Sequence, residues 1–297
     1  MAHTPITPDL PIADAARLMM AEELATVREH EKALRACADV LAVHETRTAI
    51  RRTFTLFKLM APYFAPDALT PHRRALRRLM RRLAPCRDLA VFRQQLALYN
   101  ATSVAPLEAL AAVLDKRQAT ADERLRRYLE RPKVDKALRR YRRFTRHRDA
   151  GLPSGNGAAV PLLVRHVLPT LIFQRVGAVR AYGDLLPTAT PTQFHRLRIQ
   201  FKELRYTLTY FEDILGATSG QIIEMTRVMQ EHLGHLNDAN VALRLLDEID
   251  CCPDEVGVYR AAQTAEVVRL TEEFRPLYVN FDRPDVRQVL ALTVASL

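Results

Sequence analysis

Glycine is scarce and tryptophan is absent: 297 residues hold 9 glycines and no Trp. So few glycines argue against a Gly-rich phosphate cradle or a many-turned β-barrel. No Gly-x-Gly-x-x-Gly and no Walker-type run occurs, so the common nucleotide folds are not expected. Cysteine is rarer still. Cys37, Cys86, Cys251 and Cys252 include no Cys-x-x-Cys pair, and the adjacent pair has poor geometry for a structural disulfide. Reduced thiols in a cytoplasmic protein are the expectation. No uncharged apolar run approaches the ~18 residues of a membrane span. Residues 1–9 lack a positive n-region and an apolar h-region, so no secretory signal is expected.

What is present is charge and helical periodicity. Lys plus Arg number 44 against 34 Asp plus Glu, a formal net charge of +10, within a globular composition of 48% hydrophobic residues. Apolar residues recur at helical spacing over about 14–38, 40–60, 70–84, 88–99, 104–130 and 133–148. A Gly/Pro/Ser-rich stretch begins at Asp149, and the pattern resumes over about 160–184, 192–215, 219–233, 238–250, 254–280 and 284–296. No alternating strand is evident. The expected fold is all-α: a tail over 1–13, a first helical half over 14–148, a linker over 149–159 and a second half over 160–297.

The halves share a pattern. His44, Arg47 and Arg51 align with His195, Arg198 and Lys202 at an offset of 151, and Leu83, Asp88 and Val91 with Leu233, Asp238 and Val241 at 150. Two separated matches at nearly one offset read as an internal duplication with pseudo-two-fold symmetry. Offsets of 3, 7 and 11 keep one helix face. His44, Arg47, Arg51, Thr55 and Lys58 therefore form one stripe, with Ile50, Phe54, Phe57 and Ala61 expected to face the core. His195, Arg198, Lys202 and Tyr206, flanked by Arg205, form the second stripe, opposite Leu197, Phe201, Leu204 and Leu208. Like charges in a row destabilise a helix, so something outside the helix, either partner carboxylates or a polyanion, should compensate them.

Arg77 and Arg81 extend the cationic surface with Arg73, beside a parallel row of Arg74, Arg78 and Arg82. Another dense run includes Arg139, Arg140, Arg142, Arg143 and Arg146. Arginine dominates these runs, favouring bidentate contact with phosphate oxygens. Asp88 and Asp238 follow apparent helix breaks at Ala84-Pro85 and Gly234. They read either as N-caps or as carboxylates that orient a neighbouring Arg or His. Arg87 and Asn237, just before them, are positioned to donate to a ligand oxygen. His232, His235 and Asp238 have spacing that could ligate a metal, but the first half has Arg82, Pro85 and Asp88 there.

These residues resemble the CHAD domain, the conserved histidine α-helical domain. The resemblance rests on Val43-His-Glu-Thr-Arg-Thr-Ala-Ile-Arg-Arg and Cys86-Arg-Asp-Leu-Ala-Val. It rests equally on Phe194-His-Arg-Leu-Arg-Ile-Gln-Phe-Lys-Glu-Leu-Arg-Tyr and Gln230-Glu-His-Leu-Gly-His-Leu-Asn-Asp-Ala. It implies two similar helical bundles around a basic central channel that binds inorganic polyphosphate. His44, Arg47, Arg51 and Arg52 would then face ligand in the first half. His195, Arg198, Lys202, Arg205 and Tyr206 would do so in the second, with Arg87, Asp88, Asn237 and Asp238 supporting. Ala84, Ala90 and Phe54 depart from the family pattern and imply a first-half site of different shape.

The functional expectation is a non-catalytic polyphosphate-binding protein, with no cofactor, no metal, no catalytic residue and no membrane partner. Protonated histidines would tighten binding towards pH 6. The resemblance also makes association with polyphosphate granules an expectation. One alternative is weak nucleic-acid binding, against which stands an aromatic content of 7% with no interleaving among the basic rows. The other is a metal-dependent phosphoanhydride hydrolase, for which no paired-carboxylate cluster is evident.

Overall fold

The computed structural model describes residues 5–37, 39–152 and 162–295, so most of the expected linker lies outside the described residues. Two compact units emerge. One is Ile12–Val160, and the other joins Met1–Pro11 to Pro161–Leu297.

The first unit runs through α1 (Ile12–Glu29), α2 (Glu31–Cys37), α3 (Val40–Met60), α4 (Thr70–Thr102), α5 (Glu108–Leu129) and α6 (Pro132–Arg146), with a 3-10 turn at Ala61–Tyr63. Asp39 starts α3 by accepting the Ala42 N–H at 2.8 Å, which satisfies a donor the helix cannot. Met20, Ile50, Leu56, Phe57, Leu83, Leu114 and Tyr141 are buried together, Phe57 meeting Tyr141 edge-on at 5.7 Å. Two α3 residues expected in this core are not fully in it. Phe54 is half-buried, and Ala61 is exposed because the helix tightens into the 3-10 turn there.

The second unit contains α7 (Val164–Arg180), a 3-10 turn at Gly183–Thr188, α8 (Pro191–Tyr210), α9 (Glu212–Leu215), α10 (Thr218–Leu246), α11 (Pro253–Phe281) and α12 (Pro284–Ala295). Thr190 and Gln193 close a reciprocal capping box at the start of α8. Phe201 is wholly buried and meets the edges of Phe274, Tyr278 and Phe281. Residues 8–11 are part of this unit rather than a tail of the first: the Pro8 and Leu10 carbonyls accept the Arg165 and Val164 N–H groups, each at 3.0 Å. A single bridge between Pro11 and Leu163 is the one β-contact among the described residues, none of which forms a strand. No helix among them is long and apolar enough to cross a membrane.

The breaks expected at Ala84-Pro85 and at Gly234 do not occur. Helix α4 continues through Pro85, and α10 continues through Gly234. An interior proline costs about 3 kcal/mol. Leu79, Leu83, Cys86, Leu89 and Phe92 are buried along the same helix, each large side chain contributing roughly 1.5–3 kcal/mol, so packing wins. Gly234 opposes the helix by only about 1 kcal/mol. Asp88 and Asp238 therefore sit mid-helix and cap nothing. Conversely, the expected helix over 14–38 is divided, a turn at His30 separating α1 from α2.

A methyl group on Gly234 would meet only Arg198 Nε, at an ordinary 4.0 Å. Gly234→Ala should therefore stabilise the protein by about 0.5–1 kcal/mol. A raised thermal midpoint is the expected reading, whereas a lowered one would mean that α10 needs glycine to bend.

Candidate functional site

In the first unit α3 packs on α4, and in the second α8 packs on α10. Each pairing brings the first half of a cationic stripe against the middle of a long helix. On α3, His44 is exposed, whereas Arg47 and Arg51 are half-buried. Arg87 of α4 lies close enough for its charge, with those of Arg51 and Arg47, to act on the His44 ring. Asp88, one residue on, accepts a long hydrogen bond from Arg47 Nη2 at 3.5 Å. The carboxylate thus orients a guanidinium of the stripe, the second of the two roles open to it from sequence.

In the second unit the corresponding contact is amide to imidazole. Asn237 Oδ1 accepts from His195 Nδ1 at 2.9 Å, and Asn237 Nδ2 donates to Asp238 Oδ1 at 3.5 Å. With the Nδ1–H donated to the amide, Nε2 is the ring nitrogen left to meet a ligand. Asp238 is buried behind this relay and holds the amide in place. Arg198 lies over the α10 turn at Gly234. An open groove of about 380 Å³ adjoins His195 and Asn237, and Asn240 and Arg244 also line it. Sequence reading missed both, although their spacing of three and seven from Asn237 puts them on one face of α10.

Other expected residues stand elsewhere. Arg52 turns to Glu23 of α1, with Nη1 3.7 Å from the buried carboxylate. Lys58 is exposed in the last turn of α3. Arg77 and Arg81 are exposed on α4, and roughly 120° of helix rotation separates Arg81 from Arg87. Lys202 is half-buried and Tyr206 buried, while Arg205 acts on the Glu224 carboxylate near the start of α10. His232 donates Nε2–H to the Leu270 carbonyl at 2.6 Å and packs on Phe274. Among the described residues, no group of three or more His, Cys, Asp or Glu is arranged to hold a metal ion.

The model of the CHAD domain family matches residues 18–247. The chain belongs to the CHAD domain family. Its fold is similar to the crystal structure of the CHAD domain from the plant Ricinus communis, with a TM-score of 0.70 and 21% identity, over 99% of this chain and 95% of that one. PptA from Streptomyces chartreusis is similar at a TM-score of 0.62 and 17% identity, over 92% of this chain and 99% of its own. No curated protein matches the sequence.

The histidine of the first CHAD cluster differs from the simple expectation of protonation near pH 6. Partial burial holds the His44 imidazole below its ordinary value of 6.5, and Arg51, Arg87 and Arg47 push it further down, with Glu45 opposing them. Salt screens Glu45 and the cations alike and leaves the burial, the largest cause of the shift. His44 should therefore titrate below 6.5 at low ionic strength and still do so in ~1 M salt. Imidazole chemical shifts followed from pH 4.5 to 8 would measure this, and a value above 6.5 at low salt would contradict the cluster.

Proposed function

We propose that this CHAD-domain protein binds inorganic polyphosphate without cleaving it, and that the cationic rows of α3 and α8 hold the chain. The observation that carries the reading is the gathering of His44, Arg47, Arg51 and Arg87, three of them permanent cations, with Asp88 bonded to one of them and Glu45 beside the histidine. Such a site suits a linear anion that has a charge on every unit and no base to stack. The family's association with polyphosphate supports it. So does the recurrence of the arrangement: α8 carries His195 and Arg198 against Asn237 and Asp238 of α10, as α3 carries His44 and Arg47 against Arg87 and Asp88 of α4. We read this recurrence as an internal duplication. On the same reading the protein is cytoplasmic and associates with polyphosphate granules, where its ligand is concentrated.

Binding of this kind releases counterions, so affinity should fall linearly with log salt, by analogy with nucleic-acid backbones. An anion also raises the histidine pKa values on binding. Affinity therefore rises as pH falls through the values of the complex and levels off below those of the free protein.

The test is a competition titration at ~0.15 M salt, with labelled long-chain polyphosphate displaced by pyrophosphate, tripolyphosphate and duplex DNA. His195→Ala/Arg198→Ala should weaken long-chain binding by roughly 10- to 100-fold, as expected for two charge-assisted hydrogen bonds. The salt slope should drop by about 1 per cation removed. Equal affinity for duplex DNA, untouched by the double change, would identify a generic basic surface instead. Phosphate release from the same samples would mark an enzyme.

A further inference from the structure

A second cationic cluster lies on the other side of α4. The rings and charges that define it come from three segments of the first unit. Arg82 of α4 and Arg131, in the turn before α6, hold their guanidinium carbons 5.8 and 5.9 Å from the ring centroid of Tyr128, at the end of α5. Arg78 of α4 and Lys133 of α6 line a small cleft beside that ring. Arg81 completes the group, acting on Tyr128 together with Arg78, Arg82 and Arg131. Nine residues separate Arg78 from Arg87, which is about 180° of helix rotation, so the cluster and the His44 site face opposite ways from one helix.

The carboxylates that flank this cluster in sequence are committed elsewhere. Glu130 pairs with Arg126 at 2.6 Å, Glu123 with Arg126 and Arg127, and Asp135 with Arg35 at 2.8 Å. Arg78, Arg81, Arg82, Arg131 and Lys133 form no ion pair among the described residues, and all five are exposed. Helix α6 prolongs the charge, since Lys136, Arg139, Arg140, Arg143 and Arg146 are exposed along it while Val134, Leu138 and Tyr141 are buried beneath. Residues 133 to 146 span about 20 Å of helix.

We propose that this cluster is a second phosphoryl-anion site, taking the phosphate groups of an inorganic polyphosphate chain that then runs along α6. It rests on the polyphosphate reading and extends it from one surface of the first unit to two. The cleft measures about 50 Å³, far below the several hundred that a nucleotide base or drug-sized ligand needs. Its one aromatic ring already lies under two guanidinium groups, so no base can stack on it. No large apolar side chain is exposed along 73–82 or 131–148, so the surface offers a bilayer no insertion. What remains is a bare phosphoryl anion, gripped by planar donors. A protein with two such surfaces bridges polyphosphate chains as well as binding them.

The test uses the full chain, tripolyphosphate and long-chain polyphosphate as probes, and the variants Arg78→Ala/Arg82→Ala/Arg131→Ala and Arg47→Ala/Arg51→Ala. Calorimetry of wild type should resolve more than one tripolyphosphate per molecule. The triple variant should lose one binding class and keep the other, and the double variant the reverse. With long chains, wild type should form cross-linked assemblies that scatter light, and the triple variant should scatter at least tenfold less while still binding. The triple variant removes two cation–π contacts along with mutually repelling cations, so a wild-type helical circular dichroism spectrum and a cooperative melt are what separate a lost site from a lost fold. Wild-type stoichiometry and scattering in the triple variant, with binding intact, would overturn the second site alone. Displacement of tripolyphosphate from this class by duplex DNA at equal charge would overturn its assignment to polyphosphate. Absence of polyphosphate binding by wild type would overturn both this site and the reading it rests on.

Discussion

Burial of one helix face is what permits the crowding of charge on the other. On α8, Leu197, Phe201, Leu204 and Leu208 are withdrawn from water almost completely. At roughly 1.5–3 kcal/mol per side chain they contribute about 6–12 kcal/mol, an upper estimate because the unfolded chain already buries part of that surface. Like-charge neighbours on a helix cost about 0.2–0.5 kcal/mol per pair, so the row His195, Arg198, Lys202 and Arg205 is carried with a wide margin. The same balance holds on α3, where Ile50, Leu56 and Phe57 are completely buried. Charge is therefore held at the surface by hydrophobic packing beneath it, and the stored repulsion is available to an anion that relieves it.

Helix continuity decides what the central carboxylates do. Had α4 and α10 begun afresh at Asp88 and Asp238, each carboxylate would satisfy the orphan N–H groups of a helix start. In the interior of a helix those N–H groups bond to carbonyls four residues back. The acids turn to side chains instead, Asp88 to Arg47 and Asp238 to Asn237. Packing of Leu83, Cys86 and Leu89 through the proline, and of Leu233 and Leu236 around the glycine, is thus what converts two potential caps into orienting groups.

Much of this architecture was legible in the sequence, for reasons particular to its parts. The 3.6-residue spacing of apolar side chains disclosed the all-α fold, because burial in a helix demands that period. The stripes of α3 and α8 followed from the same geometry. Local signals failed where long-range packing overrode them, as at Pro85 and Gly234. They also failed where a partner on a distant helix decides orientation: nothing in 51–58 announces that Arg52 answers to Glu23 on α1. Residues 8–11 read as a tail because hydrogen bonds to residues 164 and 165 leave no periodic trace. The cluster at Tyr128 was half visible as an arginine-rich run, but only the fold joins it to Arg131 and Lys133.

The α3–α4 and α8–α10 sites differ in electrostatics. Where the second unit has Asn237, the first has Arg87, so His44 faces a third permanent cation while His195 faces an amide oxygen. An arginine keeps its charge at every physiological pH, and His44 is disfavoured from taking one first by burial and then by Arg51, Arg87 and Arg47. Permanent charge in the first unit at neutral pH therefore comes from Arg47, Arg51 and Arg87. In the second unit, His195 is oriented by Asn237 with Asp238 behind it. An arginine at the α3–α4 contact and an asparagine at the α8–α10 contact thus give a site of permanent charge and a site built around an oriented imidazole.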